Sequence, residues 1–341
     1  MAAAVALAAC QPMPGPAAPP APQAESGPAP LGPLAPAEAG IPPHVHIKDV
    51  IYERKYGMSL TLDVFQPARP NGAAIVSVDT GGWVTGYDHV WAGNHVHFLE
   101  RGYTVFNVVH GSSPKFTVPE QIADVRRAVK FIRHHAADYH VDPARVGMTG
   151  VSTGGLLSLM MGLTDTADPG AEDPVERMSS RVQAVACIAP VTDLTNVRWP
   201  TQIDDKPGVP IMGPFHFLDF MEKARARILM GKGDSPEMSP RIVAVMTDHD
   251  KAMEILRTVS PVEQVSAAAA PTMILQGDKD RVVPLDKTER FLGKLKAANV
   301  PNKLVVVPDA GHNIPDMVAR TKDLADWFDI HLKPQAAPAA H

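Results

Sequence analysis

The stretch RVGMTGVSTGGLLSLMMGL, residues 145–163, joins two apolar runs through the pentapeptide Gly150-Val151-Ser152-Thr153-Gly154. The first run predicts a strand and the second, Leu156 to Leu163, a helix, so the pentapeptide forms a sharp turn between them. Small residues two positions before and after the serine let strand and helix approach closely and leave its hydroxyl exposed. Ser152 is therefore a candidate nucleophile. Such a pentapeptide arises by accident in about one chain in ten of this length, so the prediction depends on finding a base and an acid.

The composition divides the 341 residues into one folded domain with extended ends. Residues 11–43 are dominated by Pro, Ala and Gly and bury too little apolar surface to offset their ordering entropy, which predicts a flexible tether. Residues 334–341 are similarly poor in core formers and predict a disordered tail. The remaining 44–333 are within the range of a single α/β domain carrying an insertion.

The first ten residues, ending Leu7-Ala8-Ala9-Cys10, resemble the lipobox of bacterial lipoproteins, in which that cysteine is lipidated. The Pro-rich tether that follows is typical of a spacer between a membrane anchor and an enzyme. The resemblance implies a lipid anchor through Cys10 and a location in the bacterial cell envelope, lipid-anchored or secreted. The apolar run is short and no Lys or Arg precedes it. A plain Ala-rich end, with a cytoplasmic location, is the alternative.

Charge and cysteine usage exclude several classes of function. A net charge of −5 with dispersed Lys and Arg indicates no nucleic-acid partner, and no run of 18 apolar residues predicts a membrane span. Cys187 lies in an apolar run and is predicted to be a buried small hydrophobe, so no disulfide framework is implied. We expect no cofactor.

Three histidine pairs deserve comparison with metal sites: His44 and His46, His95 and His97, and His134 and His135. No Cys or third His completes a ligand set, and residues two apart on a helix diverge, so we expect no metal site. Among the other histidines, only His110, at the carboxyl end of a predicted central strand, is placed near the pocket.

The rest of the domain alternates between strands and helices, after an antiparallel hairpin within Val45–Phe65 that is predicted at a sheet edge. The predicted strands are Ala73–Val78, Thr104–Val109, Val182–Ala189, Thr272–Gln276 and Lys303–Val307, and the predicted helices are Asp88–Glu100, Pro119–Ala137, Leu285–Ala298 and Asp316–His331. This alternation predicts an α/β fold with a mostly parallel, doubly wound sheet.

A stretch of 194–259 breaks the alternation and predicts a partly helical insertion, placed to act as a lid near the carboxyl edge of the sheet. We expect most of its large side chains to pack on the body and two or three to line a pocket. They are Trp199, Met212, Phe215, Phe217, Phe220, Met221 and Met230.

Two loops after the last predicted strands supply an acid and a base. The first reads Gly277-Asp-Lys-Asp-Arg-Val-Val-Pro284 and the second contains Gly311-His312. These motifs, in this order after Ser152, resemble the GDxDxxVP and GH loops of the α/β-hydrolase family. The resemblance implies an α/β-hydrolase fold with Asp280 as the acid and His312 as the base. Asp278 is the competing acid, for which we favour a role in holding the loop.

The loop Asp79-Thr80-Gly81-Gly82-Trp83 resembles the HGGGW loop of carboxylesterases related to hormone-sensitive lipase and of the feruloyl and acetylxylan esterases. The resemblance implies an oxyanion hole formed by the N–H groups of Gly81, Gly82 and Thr153, the residue after the nucleophile. Asp79 and Thr80 depart from the family pattern, and Thr80 would adopt a positive φ only at a cost. Asp79 is a candidate acceptor for loop N–H groups.

These residues favour a serine hydrolase that cleaves carboxylic esters through an acyl-enzyme, with a small-molecule or polysaccharide-linked ester as substrate. A serine peptidase of the prolyl oligopeptidase kind is the alternative, since Gly154-Gly155 is shared with that group. A non-catalytic binding protein that kept the fold is the third hypothesis. The oligomeric state is not predicted.

Overall fold

The computed structural model describes residues 31–113, 115–195 and 249–333, and within these ranges eight strands form one sheet. The strands are β1 (His44–Lys55), β2 (Met58–Pro67), β3 (Ala74–Val78), β4 (Thr104–Val109), β5 (Val146–Val151), β6 (Ala184–Ile188), β7 (Thr272–Gly277) and β8 (Asn302–Val307). Their spatial order is β1-β2-β4-β3-β5-β6-β7-β8. Only the pairs β1/β2 and β2/β4 are antiparallel, which confirms the mostly parallel sheet.

Helices cover both faces of this sheet. They are α1 (Val96–Glu100), α2 (Val118–His134), α3 (Thr153–Leu163), α4 (His249–Thr258), α5 (Leu285–Ala297) and α6 (Met317–Leu332). One apolar core lies between the sheet and α2, α3 and α5, and a second lies between the sheet and α1 and α6. Every residue of α3 is buried, as its unbroken apolar run requires. The doubly wound arrangement is confirmed.

The N-terminal hairpin lies at the predicted edge, where β1 pairs only with β2. Its turn residues Tyr56 and Gly57 both have positive φ, as a type I′ hairpin turn requires. Residues 31–43, predicted as the end of the flexible tether, instead contact the domain. The N–H of Leu31 donates to Gln66 Oε1 at 2.8 Å and that of Ala35 to His44 O at 2.6 Å.

The helix predicted over Asp88–Glu100 is wrong in its extent. That segment forms two 3₁₀ turns, Tyr87–His89 and Ala92–His95, before the short helix α1. Gly93 and the β-branched and aromatic residues around it have low helix propensity, and packing against α6 fixes the chain instead.

The predicted lid is described only at its ends, at residues 194–195 and 249–259. The intervening residues 196–248, with all seven large apolar side chains named above, lie outside the described residues, as do Cys10 and the tail at 334–341. In the described ranges, no helix has the length and apolar character that crossing a membrane requires.

Candidate active site

Ser152 lies at the tip of the turn between β5 and α3 with φ 53° and ψ −115°, a strained conformation for a residue with a side chain. Its N–H donates to Ile188 O at 3.0 Å, and its carbonyl accepts from the N–H of Val191 at 3.2 Å. The segment from the last residue of β6 to Val191 therefore holds both the N–H and the carbonyl group of Ser152. The serine itself is half-buried.

Glycine at positions 150 and 154 is required by the closeness of strand and helix. A Cβ at Gly150 would lie 2.5 Å from the carbonyl carbon of Gly154, and a Cβ at Gly154 would overlap the carbonyl oxygen of Val78 on β3. A Cβ at Gly155 would lie 2.6 Å from the side chain of Pro190. The steric reason for the small residues, predicted from the sequence, is confirmed.

His312 lies in the loop after β8 and bridges Ser152 to Asp280. Its Nε2 is 3.0 Å from Ser152 Oγ and its Nδ1 is 2.8 Å from Asp280 Oδ2. Because a carboxylate only accepts, Nδ1 carries the hydrogen and Nε2 accepts the proton of the serine hydroxyl. The histidine side chain is 19% exposed, so the site opens to substrate at this point.

The acid and base loops are held together by backbone contacts. Gly277, at the end of β7, lies so close to the base loop that a Cβ there would come within 2.6 Å of Gly311 O. The N–H of Lys279 also donates to Ala310 O at 2.9 Å. These contacts hold the carboxylate of Asp280 within hydrogen-bonding distance of the imidazole of His312.

Asp280 and Asp278, the two candidate acids, differ in burial. The Asp280 carboxylate is fully buried, and its second oxygen, Oδ1, accepts the N–H groups of Val282 and Val283, each at 2.8 Å. Asp278 is exposed, and its backbone N–H donates to Val307 O at 3.2 Å. Asp280 is thus the acid that the structure brings to His312.

The loop after β3 forms a tight turn that uses one of the predicted oxyanion donors. The N–H of Gly81 donates to Val84 O at 3.1 Å, and that of Val84 donates back to Gly81 O. The prediction for Gly81 is thereby corrected, because its donor is engaged within the loop. Gly82 has φ 57°, and Thr153 is the first residue of α3, directly after the nucleophile; their roles as oxyanion donors stay predictions.

Contrary to the expectation from the sequence, the departures from the family pattern at positions 79 and 80 do not strain the backbone of the loop. Thr80 is absent from the residues with positive φ, and its hydroxyl donates to Val84 O at 2.8 Å. The positive φ falls on Trp83 instead, at 68°, and the N–H of Trp83 donates to Thr153 Oγ1 at 3.3 Å. The oxyanion loop, residues 79–85, is therefore tied directly to the residue that follows the nucleophile.

Asp79 binds side chains rather than the loop N–H groups predicted for it. Its Oδ1 accepts from Ser77 Oγ at 3.0 Å, and its backbone carbonyl accepts from Thr85 Oγ1 at 3.0 Å. Its Oδ2 lies 3.6 Å from Nε2 of His95, a residue that sequence reasoning did not place at the site. No sequence pattern links the two residues, because His95 is positioned by Asn107 of β4, which binds its Nε2 and pairs with Ser77 of β3.

His110, which was predicted near the pocket, lies outside the lining of the cavity beside the triad. His110 is buried, shares a hydrogen bond with Gly111 O through Nδ1, and is not among the residues that line the cavity described below. Burial lowers the pKa of His110 to about 4, so the ring is neutral at pH 7. Cys187 is fully buried, as predicted, and burial raises its pKa. The described residues contain no group of three or more metal-ligating side chains.

A cavity of about 640 Å³ lies beside the triad, on the α1 and α6 face of the sheet. Gly81 of the oxyanion loop and Gly150 and Val151 of the elbow form the part of its wall next to Ser152. The serine and His312 do not line it. The cavity therefore borders the elbow without including the side chains of the triad.

The sequence profile of the BD-FAE family matches residues 62–295, more than two thirds of the chain. The chain belongs to the BD-FAE family. The match includes the oxyanion loop, Ser152 and Asp280 and ends before the loop that carries His312. The predicted relation to esterases of the α/β-hydrolase kind is confirmed by this membership.

Two of the named relatives that the chain matches are esterases. The chain is 27% identical over 262 residues to the probable carboxylic ester hydrolase LipM of Mycobacterium tuberculosis, a match that covers 74% of this chain and 52% of LipM. It is 28% identical to the esterase LipQ of the same organism, over 63% of this chain and 43% of LipQ. The chain thus spans about half the length of the curated relatives it matches.

Solved structures share the fold. A truncated carbohydrate esterase from gut microbiota superposes with a TM-score of 0.63 and 22% identity, covering 88% of this chain and 99% of that one. Esterase Est2 of Thermogutta terrifontis superposes with a TM-score of 0.59 and 22% identity, covering 84% and 94%. The predicted α/β-hydrolase fold is confirmed.

Proposed function

We propose that this protein is a serine hydrolase that cleaves carboxylic esters through an acyl-enzyme intermediate. The observation that carries the proposal is the continuous hydrogen-bonded chain from Ser152 Oγ through His312 to the buried carboxylate of Asp280. Membership of the BD-FAE family and the esterase names of LipM and LipQ support it.

In the proposed mechanism each residue has a distinct role. His312 Nε2 removes the proton of the Ser152 hydroxyl as the oxygen attacks the ester carbonyl, and later returns that proton to the leaving alcohol. Asp280 fixes the tautomer and stabilises the imidazolium that forms between these steps. The N–H groups of Gly82 and Thr153 donate to the carbonyl oxygen as it gains negative charge. Water then attacks the acyl-enzyme by the same proton route.

The proposed substrates are small-molecule or polysaccharide-linked esters. The carbohydrate esterase that shares the fold supports the second class, and a net charge of −5 does not favour a nucleic acid. A panel of p-nitrophenyl, aryl and acetylated sugar esters distinguishes these classes by their kcat/KM values.

A fluorophosphonate probe tests the nucleophile directly. We expect it to label the wild type and not Ser152→Ala, whose turnover of p-nitrophenyl butyrate falls by a factor on the order of 10⁵ to 10⁶. Ser266→Ala, which changes an exposed serine in the loop before β7, is the matched control and keeps both activities. An unlabelled, inactive wild type would refute the proposal. Hydrolysis of a proline p-nitroanilide without ester hydrolysis would favour the peptidase alternative.

We further propose that Cys10 carries a lipid and holds the protein in the cell envelope. The sequence Leu7-Ala8-Ala9-Cys10 followed by a Pro-rich tether supports this, although it lies outside the described residues. Expression in a bacterium fed a radiolabelled fatty acid should label the wild type and not Cys10→Ala. Absence of label from the wild type, with the protein in the soluble fraction, would contradict the anchor.

A further inference from the structure

The cavity beside the elbow is positioned to receive a part of the substrate. Gly150 and Val78 are paired in the parallel register of β5 and β3, so the residues that follow them, Val151 and Asp79, lie next to each other at the carboxyl edge of the sheet. Both line the cavity. Ser152 follows Val151 directly in the chain, so a substituent of an ester bound at Ser152 starts one residue away from the cavity wall.

The cavity combines apolar walls with a small polar floor. The walls are formed by Phe98, Val151, Ile188, Met317, Val318 and Leu324. The floor is formed by Ser77, Asp79 and Thr149, whose strand positions put them on one face of the sheet. Such a shape suits a group with an apolar outer surface and one polar or charged feature.

The charges of the lining residues restrict which polar group of a substrate the cavity accepts. Among the lining residues of the described ranges, the formally charged side chains are the carboxylates of Asp79 and Asp88, with no Lys or Arg. A substrate carboxylate entering the cavity would meet Asp79 with no Lys or Arg from those residues beside it. The other basic side chains of the lining are the imidazoles of His89 and His95. A cationic group would be attracted, and partial burial of Asp79 strengthens this attraction relative to bulk water.

The charge of Asp79 is not fully compensated by protein donors. Among the described residues its Oδ2, which is buried, has no hydrogen-bond partner, whereas Oδ1 accepts from Ser77. The nearest imidazole nitrogen, His95 Nε2 at 3.6 Å, is hydrogen-bonded to Asn107 Oδ1 at 2.9 Å. A carboxylate oxygen without a donor is costly in the free protein. Because Oδ2 itself is out of reach of solvent, a cation in the cavity would stabilise the carboxylate through its charge rather than by direct contact with Oδ2.

An aromatic ring lies on the same cavity. Trp91 is 51% exposed, and its indole N–H bonds Glu38 Oε2 at 3.3 Å, which holds the ring in place. The face of an indole attracts cations, including those with no N–H to donate. Trp91 and Asp79 thus supply two independent attractions for a positive charge.

We propose that this cavity is a specificity site for a quaternary or tertiary ammonium group carried by the ester substrate. The apolar walls accommodate the alkyl groups on nitrogen, while Asp79 and Trp91 stabilise its charge. This inference rests on the proposed ester hydrolysis, and it adds the chemical class of one substituent. Asp79 acts here as a substrate-binding residue as well as part of the oxyanion loop.

The test compares cationic esters with neutral isosteres of the same shape. For the alcohol half, butyrylthiocholine is compared with 3,3-dimethylbutyl thiobutyrate. For the acyl half, p-nitrophenyl 4-(trimethylammonio)butanoate is compared with p-nitrophenyl 5,5-dimethylhexanoate. In at least one pair, we expect kcat/KM to favour the cationic ester by about tenfold or more. The pair that shows the preference identifies the half of the ester that occupies the cavity.

Variants separate charge recognition from effects on the loop. Asp79→Asn should lower the ratio of cationic to neutral kcat/KM to about one, whatever it does to both rates through the oxyanion loop. Asp88→Asn removes the same charge from a side chain that is 85% exposed, and should change the ratio by less than about twofold because water and salt screen it.

The outcomes distinguish the two proposals. Failure to hydrolyse any of the four esters, together with the absence of fluorophosphonate labelling, would refute ester hydrolysis itself. Hydrolysis of both members of each pair at equal rates, or a cationic preference that persists in Asp79→Asn, would overturn the ammonium site alone.

If Asp79→Asn turns over too slowly to measure, calorimetric titration with phenyltrimethylammonium replaces the kinetics. Binding to Ser152→Ala and loss of binding in Asp79→Asn support the site, and equal binding to both refutes it.

Discussion

The nucleophile elbow and the oxyanion loop face each other across the site, and they are held by different physical means. In the elbow, glycines 150, 154 and 155 are in such close contact with neighbouring atoms that any Cβ would displace them. In the loop, a Cβ on Gly81 or Gly82 would meet nothing within 4 Å. The elbow is fixed by packing, and the loop by hydrogen bonds such as those from Thr80 and Trp83.

This difference determines how well each region was predicted. Glycine at the closely packed positions reveals the steric requirement directly, so the strand, turn and helix around Ser152 can be predicted from a short segment of sequence. A hydrogen-bonded loop depends on partners distant in the sequence, as Trp83 depends on Thr153. Predictions that alter packing and hydrogen bonding separately therefore test the comparison.

The largest effect is expected for the acid that orients the base. Asp280→Asn should lower kcat for p-nitrophenyl butyrate by a factor on the order of 10⁴, because an amide at this position favours the wrong imidazole tautomer. Asp278→Asn, a matched change in the same loop at an exposed residue, should lower kcat by less than about threefold. Steady-state kinetics of both variants checks this, and a larger loss for Asp278→Asn would reverse the assignment.

The sequence favoured Asp280 and kept Asp278 as a competitor, because both are aspartates in the turn after β7. The structure separates them through burial and through the donors Val282 and Val283, which come from the same loop. Likewise, no sequence pattern indicated that Gly81 donates to Val84 or that His95 approaches Asp79. The order of elements was predictable from local periodicity, but pairing between loops was not.

Glycine replacement tests packing in the elbow against open space in the loop. Gly154→Ala should lower the free energy of unfolding by about 3 kcal/mol, since its Cβ overlaps the Val78 carbonyl and strand and helix must separate. Gly81→Ala, the matched change in the loop, should cost less than about 0.5 kcal/mol, because Gly81 lies in open space and lacks a positive φ. Urea denaturation measures both, and equal losses would contradict the distinction.

A pH dependence is expected from the segment that supports the oxyanion loop. His110 precedes Ser112 and Ser113, and the N–H of Ser113 donates to Trp83 O at 3.0 Å. Because burial lowers the pKa of His110 to about 4, the folded protein keeps this ring neutral while the unfolded chain protonates it below pH 6.5. The stability that neutral His110 allows is therefore present above pH 6.5 and is lost as the pH falls towards 4.

The size of this loss is about 3 kcal/mol between pH 7 and pH 4, from the linkage between pKa and stability. His110→Gln, which has no titrating group, should lose about that much less over the same range. Urea denaturation at several pH values measures the two slopes. Parallel slopes for the wild type and the variant would show that His110 does not titrate differently in the folded state.

The smallest effect is expected where one hydrogen bond connects the two regions. Thr153→Val keeps the shape of the side chain but removes the acceptor of the Trp83 N–H, and Trp83 holds a positive φ that needs support. The Thr153 N–H remains, so the loss in kcat should be about tenfold, below the 10²–10³ typical of deleting an oxyanion donor. KM should change little, because the loop acts on the charge that develops during the reaction.

Thr153→Ser is the matched control, since it restores the hydroxyl without the methyl group and should return kcat to within about twofold of the wild type. A serine variant as slow as the valine variant would mean that packing of the methyl group, rather than the hydrogen bond, holds the loop. In that case packing would hold the oxyanion loop as it holds the elbow. The contrast between the two regions would then fail at Thr153, the elbow residue that binds the loop.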